Sequence, residues 1–168
     1  NDGYEFKFIH DSVGTNLRLT EMQSAIGLIQ LKRLNSSRLK REENAMIIFE
    51  ILKDLKSIRI PLPEKFIIHA WYKFYFYLEK KYLKSDWDRN RILYEINNGG
   101  YQAYSGSCSE IYKEKCFQNL NYFPEKELKN AKELGETSIL LLVHPTISKF
   151  QMRKYASFVR KIIEKASL

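Results

Sequence analysis

The segment from Thr20 to Leu34, TEMQSAIGLIQLKRL, constrains the fold more than any other part of this chain. Thr20 followed by Gln23 has the spacing of a capping box, in which each side chain satisfies a backbone N–H left unpaired at a helix start. Glu21 falls in the first turn, where the helix dipole favours negative charge. Met22, Ala25, Ile26 and Ile29 then share one face at helical spacing, and Leu28, Leu31 and Leu34 carry the apolar surface round to a second. A helix apolar on two sides has to be covered on two sides. An ordinary core helix is the simpler reading, and a helix at a subunit or domain interface is the alternative.

Just upstream, Gly14 suits a tight turn. Asn16 and Arg18 sit beside the helix start. Arginine offers a planar fork of donors for phosphate or carboxylate, and asparagine adds a neutral donor and acceptor. With the free N–H groups of a helix N-terminus they form a plausible anion site. A solvated arginine and a turn asparagine explain the same residues, and on these residues alone that is the better reading.

Beyond Leu34, Asn35-Ser36-Ser37 offers a kink or break. A second helical pattern follows, with Ala45, Ile48, Phe49, Leu52 and Leu55 on one face. Pro61 and Pro63 end a short extended piece. Ala70, Tyr72, Phe74, Phe76 and Leu78 alternate with His69, Trp71, Lys73, Tyr75 and Tyr77, the period-two signature of a strand with one buried face. Asp86 is read as capping a helix that runs to Asn98, stopped by Gly99-Gly100. A short strand near Tyr101–Tyr104 follows, then a helix opened by Pro124 and ended by Gly135. Ile139–Val143 reads as a central strand. Ser148 and Gln151 repeat the capping-box spacing ahead of a last helix that buries Met152, Tyr155, Val159, Ile162 and Ile163. Three strands with helices between and around them make a small α+β unit.

At 168 residues the chain is long enough for a real core. No apolar run approaches a membrane span. Cys108 and Cys116 are too few for a disulfide framework, and their spacing matches no zinc motif. The net charge of +8 raises nucleic acid as a partner. The basic residues are spread along the chain, however, and the densest run, Lys32–Arg41, falls on a helix among glutamates, as in a solvated face. Nucleic acid is therefore not expected.

The run GTNLRLTEMQSAIGLIQLKRL, Gly14–Leu34, closely resembles the segment that follows the catalytic core in the DegT/DnrJ/EryC1/StrS family of pyridoxal-phosphate (PLP) nucleotide-sugar aminotransferases. The family pattern there is roughly G-x-N-x-R-[ML]-T-E-[ML]-Q-A-A-I-G-L-x-Q-L. The aromatic strand from His69, the segment SGSCSEIYKEKCF from Ser105, and LLLVHPTIS at Leu140–Ser148 are similar to later stretches of the family. The resemblance spans nearly the whole chain but only the C-terminal part of a family member. With Asn1 rather than methionine at its start, the chain reads as the back part of something longer.

The resemblance implies an α+β (α/β) piece of the type I PLP aminotransferase fold. Residues 1–57 would hold the end of the large domain and long linking helices. Residues 58–168 would form a small domain with a short, largely antiparallel sheet flanked by helices. It implies PLP as cofactor of the complete enzyme, a cytoplasmic homodimer with no membrane association, and an active site shared across the dimer interface. Asn16 and Arg18 match the positions that reach towards the cofactor phosphate of the other subunit. The reaction implied moves an amino group, usually from glutamate, onto a nucleotide-linked ketosugar in surface-polysaccharide or related sugar biosynthesis. The Schiff-base lysine belongs to an upstream segment. A PLP-dependent sugar dehydratase and a non-catalytic dimerisation or binding module stand as alternatives.

For substrate contacts, the loop Tyr104–Tyr112 corresponds to a stretch bordering the family's sugar-nucleotide cleft. Its Tyr104, Ser105, Ser107 and Tyr112 offer hydroxyls for sugar recognition, and a loop with self-satisfied serines explains them equally well. His10 resembles a histidine found ahead of the glycine turn. His144 follows a buried strand, where a structural role is more usual than a substrate contact. Cys108 has no His or Asp beside it in sequence to make it a nucleophile.

Overall fold

The structure is a computed structural model and describes residues 12, 14, 18–118, 120 and 124–168. A long helix, α1 (Glu21–Leu52), leads into a four-stranded antiparallel sheet flanked by helices. The strands are β1 (Ile58–Arg59), β2 (Phe74–Leu78), β3 (Ala103–Tyr104) and β4 (Ser138–Leu141). Helices α2 (Arg89–Asn98), α3 (Lys115–Gln118), α4 (Lys129–Thr137) and α5 (Lys149–Ala166) complete the order, with short 3-10 turns at Lys80–Tyr82 and Ile111–Lys113. The sheet order is β1-β2-β4-β3, so the expected small α+β unit holds, with β1 as a fourth strand.

Both capping boxes form. The Thr20 hydroxyl accepts from the backbone N–H of Gln23 at 3.2 Å, while the Gln23 side-chain carbonyl accepts from the N–H of Thr20 at 3.0 Å. Ser148 and Gln151 do the same at the start of α5. Asn35-Ser36-Ser37 does not break α1, which runs through as one helix of 32 residues. The Ser36 hydroxyl donates back to the carbonyl of Arg33 at 2.9 Å, so its polar group is satisfied inside the helix.

The core lies between the inner face of the sheet and the helices. Phe74, Phe76 and Leu78 of β2 point into it, and β4, paired on both sides, is buried along its whole length. In register, Phe74 lies opposite Leu141 and Phe76 opposite Ile139. Ala45, Ile48 and Leu52 from the end of α1 meet a stripe on α5 that includes all five residues expected there. Ile92, Leu93 and Ile96 of α2 close the third side. Arg160 of α5 ties down the end of α1, donating to the Ile51 carbonyl at 2.6 Å and to both Asp54 carboxylate oxygens at 2.6 and 2.9 Å.

Several boundaries differ from the sequence reading, among them the ends of the last two strands, which run Ala103–Tyr104 and Ser138–Leu141 instead of Tyr101–Tyr104 and Ile139–Val143. The strand expected from His69 begins at Phe74, because Trp71 adopts φ 46° and turns the chain. Trp71 is thereby buried against Phe74, whereas Tyr72, expected inside, is exposed beneath the Arg41 guanidinium. Asp88, not Asp86, caps α2, its carboxylate accepting from the N–H of Arg91 at 2.7 Å; Asp86 pairs with the Arg91 side chain. Helix α4 begins at Lys129, well after Pro124, and runs through Gly135 to Thr137. Gly135 is a point of close approach rather than a stop: a Cβ there would lie 2.0 Å from Ser109 Oγ.

The first half of α1 leaves this body. From Glu21 to Ser36 every residue except Ser24 is exposed, a length of about 24 Å. Met22, Ile26, Leu28, Ile29, Leu31 and Leu34 are each at least 52% exposed, so the core-helix reading does not hold for this half among the described residues.

Candidate functional site

The two faces of the sheet differ in chemistry. Because side chains alternate along β2, Tyr75 and Tyr77 stand on the face opposite the helical core; Lys73 and the buried Trp71 line the cleft beside them. Register places Tyr75 beside Leu140, Leu140 beside Tyr104, and Tyr77 beside Ser138. The outer face therefore carries three tyrosines around a buried leucine.

Tyr75 and Tyr77 form a ridge shared by two clefts. The first, about 430 Å³, lies between the loop Pro61–Ile67 and the strand, and its lining is largely apolar and aromatic. The His69 ring meets Trp71 edge-on at 4.6 Å, and its Nδ1 accepts the Trp71 backbone N–H at 3.0 Å. The second, about 360 Å³, is walled by α4 and by the hydroxyls of Ser107, Ser109 and Ser138. Tyr75 Oη and Ser107 Oγ lie 3.4 Å apart across its rim. Ser138 Oγ donates to the Ser105 carbonyl at 2.5 Å, and Gly106, at φ 95°, lets the loop turn over the sheet. Both clefts fall in the size range of small-molecule sites.

Of the residues expected to touch substrate, Ser107 lines the second cleft and Tyr104 stands on the outer face beside Leu140, while Ser105 meets Ser138 through its carbonyl; neither Tyr104 nor Ser105 lines either cleft. Tyr112 is directed elsewhere: its hydroxyl donates to Glu110, which also holds Lys113 at 3.0 Å. The hydrogen bond from Tyr112 keeps the Glu110 carboxyl below its ordinary range, and the same bond raises the Tyr112 phenol. His144 is exposed on the loop after β4, with Nδ1 2.7 Å from Thr146 Oγ1, and lines neither cleft. Buried Asn44 of α1 fixes that loop by donating to the carbonyls of His144 at 3.0 Å and Ile147 at 3.3 Å. Burial raises the Cys108 thiol, the opposite of what a nucleophile requires.

Arg18 is exposed, two residues before the Thr20 cap of α1. His10 and Asn16 lie outside the described residues. A guanidinium beside a helix N-terminus fits a phosphate group. Arg18 lines neither cleft. The basic run on α1 behaves as a solvated face: Arg38 pairs with Glu42 and Lys40 with Glu43. Among the described residues no cluster of His, Cys, Asp and Glu is placed to hold a metal, and no helix is long and apolar enough to cross a membrane.

Sequence reasoning took the inward members of β2 as core and passed over the outward ones. Lys73, Tyr75 and Tyr77 were available in the same alternation. Ser109 and Ser138 carried no such signal, because only the β2–β4 register and the fit of α4 bring them to the ridge.

A small antiparallel sheet flanked by helices is a fold this chain shares with aminotransferases. The chain belongs to the DegT/DnrJ/EryC1/StrS aminotransferase family, whose sequence model matches residues 1–160, and this family is PLP-dependent. The structure of an aminotransferase from Psychrobacter cryohalolentis superposes with a TM-score of 0.83 at 36% identity, over 99% of this chain and 44% of that one. A UDP-4-amino-4,6-dideoxy-N-acetyl-beta-L-altrosamine transaminase from Helicobacter pylori is 30% identical over 160 residues, 91% of this chain and 39% of the relative. A dTDP-4-dehydro-2,6-dideoxy-D-glucose 3-dehydratase from Saccharopolyspora spinosa is 21% identical over 98% of this chain and 35% of its own length. The chain thus spans less than half the length of these relatives.

Proposed function

We propose that this chain is the C-terminal portion of a PLP-dependent aminotransferase that moves an amino group, from glutamate, onto a nucleotide-linked ketosugar used in surface-polysaccharide or related sugar biosynthesis. The observation that carries this reading is the 36% identity and 0.83 TM-score to an aminotransferase over 99% of the chain. The outer face of the sheet supports it by offering aromatic surface and hydroxyls side by side.

In this reading residues 1–57 end the large domain and link it to the small domain at 58–168. The exposed apolar half of α1 is then covered by the large domain and by a second subunit of a cytoplasmic homodimer. Asn16 and Arg18 reach the cofactor phosphate bound by that partner. PLP, when bound, supplies the electron sink and carries the amino group. This chain's residues contribute phosphate charge neutralisation and a substrate-facing surface. In this reading the lysine that holds PLP is not among these 168 residues, and the isolated 168-residue chain is expected to show no transaminase activity.

In the full-length protein, Arg18→Ala is expected to lower PLP retention about tenfold or more, as removal of a charge-assisted hydrogen bond implies, while circular dichroism stays unchanged. Retention equal to wild type removes Arg18 from the site. A second reading, a sugar dehydratase, is favoured by the Saccharopolyspora spinosa relative. Incubation with glutamate and nucleotide-linked ketosugars separates the two. A transaminase yields an amino sugar and a 2-oxo acid, whereas a dehydratase yields a deoxysugar.

A further inference from the structure

Strand β3 has β4 on one side and, among the described residues, no strand on the other. An edge of this kind offers unpaired N–H and C=O groups on which another chain can add a strand. Here a side chain stands in that place. The N–H and C=O of one strand residue point the same way. Both groups of Ala103 bond to Asn97, so they face away from β4: Asn97 Nδ2 donates to the Ala103 carbonyl at 2.9 Å, and the Ala103 N–H donates to Asn97 Oδ1 at 3.3 Å. The amide of Asn97 thus supplies one donor and one acceptor, as the peptide groups of a neighbouring strand would. Nδ2 also donates to the Leu93 carbonyl at 2.8 Å, one turn back on α2, which holds the amide in this orientation. The turn between helix and strand is shaped for the contact. Gly100 adopts φ 84°, and a Cβ on Gly99 would lie 2.1 Å from the Phe158 ring, so this tight return from α2 to β3 requires both glycines. Before β3, the Tyr101 N–H is taken by the Ile96 carbonyl at 3.3 Å; after it, Gly106 at φ 95° turns the chain over the sheet. Because β3 is two residues long, one amide is enough to close it. At the opposite edge, β1 is followed by Pro61 and Pro63, which have no N–H to offer.

We propose that the β3 edge is a self-association surface held closed by Asn97. With that amide removed, a second copy of this chain pairs its own β3 antiparallel against the edge. The groups freed are one N–H and one C=O of the same residue, the pair that two facing residues exchange in an antiparallel ladder. Ala103 of one copy can therefore bond to Ala103 of the other across a two-fold axis, a self-complementary contact that needs no other partner. Asn97 competes for both hydrogen bonds from within the chain, at no cost in association entropy. The contact is independent of the reaction that the complete protein catalyses.

Amide hydrogen exchange and sedimentation velocity on the full-length protein, each over a range of concentrations, test the assignment. In the wild type the Ala103 amide is expected to be protected to the same degree at every concentration. In dilute Asn97→Ala that amide is expected to exchange about tenfold faster, as loss of one hydrogen bond implies. As concentration rises, its protection should return together with species larger than the wild-type assembly. Ile48→Ala serves as the control, because it weakens the core and leaves the Asn97 contact in place; it is expected to keep the wild-type assembly size. Three results overturn the assignment: an unchanged assembly size in Asn97→Ala at every concentration, association without renewed protection at Ala103, or equal association in Ile48→Ala. Where Asn97→Ala does not fold, Asn97→Asp is read in its place, since it matches asparagine in size and lacks the donor to the Ala103 carbonyl. Failure of both variants to fold makes Asn97 a requirement of the core and likewise overturns the assignment.

Discussion

Ile48 and Ile29 lie 19 residues apart on the same helix, yet truncation of each should report a different environment. Ile48 is fully buried where α1 meets α5, whereas Ile29 is 52% exposed on the projecting half. Ile48→Ala removes three buried carbons and leaves a cavity that the sheet and α5 fill only in part. The expected cost is about 3 kcal/mol, within the roughly 2–5 kcal/mol found for such truncations. Ile29→Ala in the isolated 168-residue chain loses little burial and gains a few tenths of a kcal/mol of helix propensity, so its effect is within about 0.5 kcal/mol of zero. For a chain of this size 1 kcal/mol corresponds to about 2–4 °C, which places the Ile48→Ala melting point roughly 6–12 °C below wild type. Urea unfolding followed by far-ultraviolet circular dichroism measures both. Equal losses at the two positions, or a loss below about 1 kcal/mol at Ile48, would refute the division of α1 into a packed half and a projecting half. The same pair in the full-length protein provides a second measurement. There, Ile29→Ala should also become destabilising, because the proposed large domain and partner subunit cover that side of the helix.

Two further outcomes follow from the packing and the charges. Gly135→Ala forces a methyl group against Ser109, and should cost about 1–2 kcal/mol in thermal unfolding; adding Ser109→Gly should return most of the loss if steric contact is the cause. Arg160, bonded to both oxygens of Asp54, holds that carboxyl down at about 2 from its ordinary value near 3.8. A depressed carboxyl stabilises the fold above its unfolded-state value and loses that contribution as pH falls towards the folded-state one. The wild-type melting temperature should therefore drop more steeply between pH 4 and 2 than that of Asp54→Asn; parallel curves would show that the pair does not contribute to acid sensitivity.

Much of the fold was legible because local chemistry and tertiary packing agreed. Thr20–Gln23 and Ser148–Gln151 form the capping boxes their spacing implied, since each such box spans only four consecutive residues. Of the apolar run Ile139–Val143, Ile139–Leu141 belong to β4 and are buried between two neighbouring strands, as the lack of alternation implied, while the strand ends before Leu142. The misread boundaries have a common origin. Asp86 and Asp88 are equally good caps in isolation, and the choice falls to the one that leaves Trp87 buried and Arg91 bonded. Gly135 looks like a stop, yet Ser109, 26 residues earlier in the chain, is what requires a residue without a side chain there.

The candidate site divides in the same way. Sequence pattern alone set the α+β class, the helix starts, the two-sided apolar character of Glu21–Leu34 and the family motif. It also supplied Tyr104, Ser105 and Ser107 as residues suited to a sugar. Tertiary structure decided what periodicity cannot, because a period records which residues share a face and not what lies against that face. It showed that α1 buries its end and leaves its beginning exposed, and that a positive φ at Trp71 shortens β2. It also set the antiparallel register that aligns Tyr104, Leu140 and Tyr75, and so turned the outward half of an alternating strand into the ridge between two clefts.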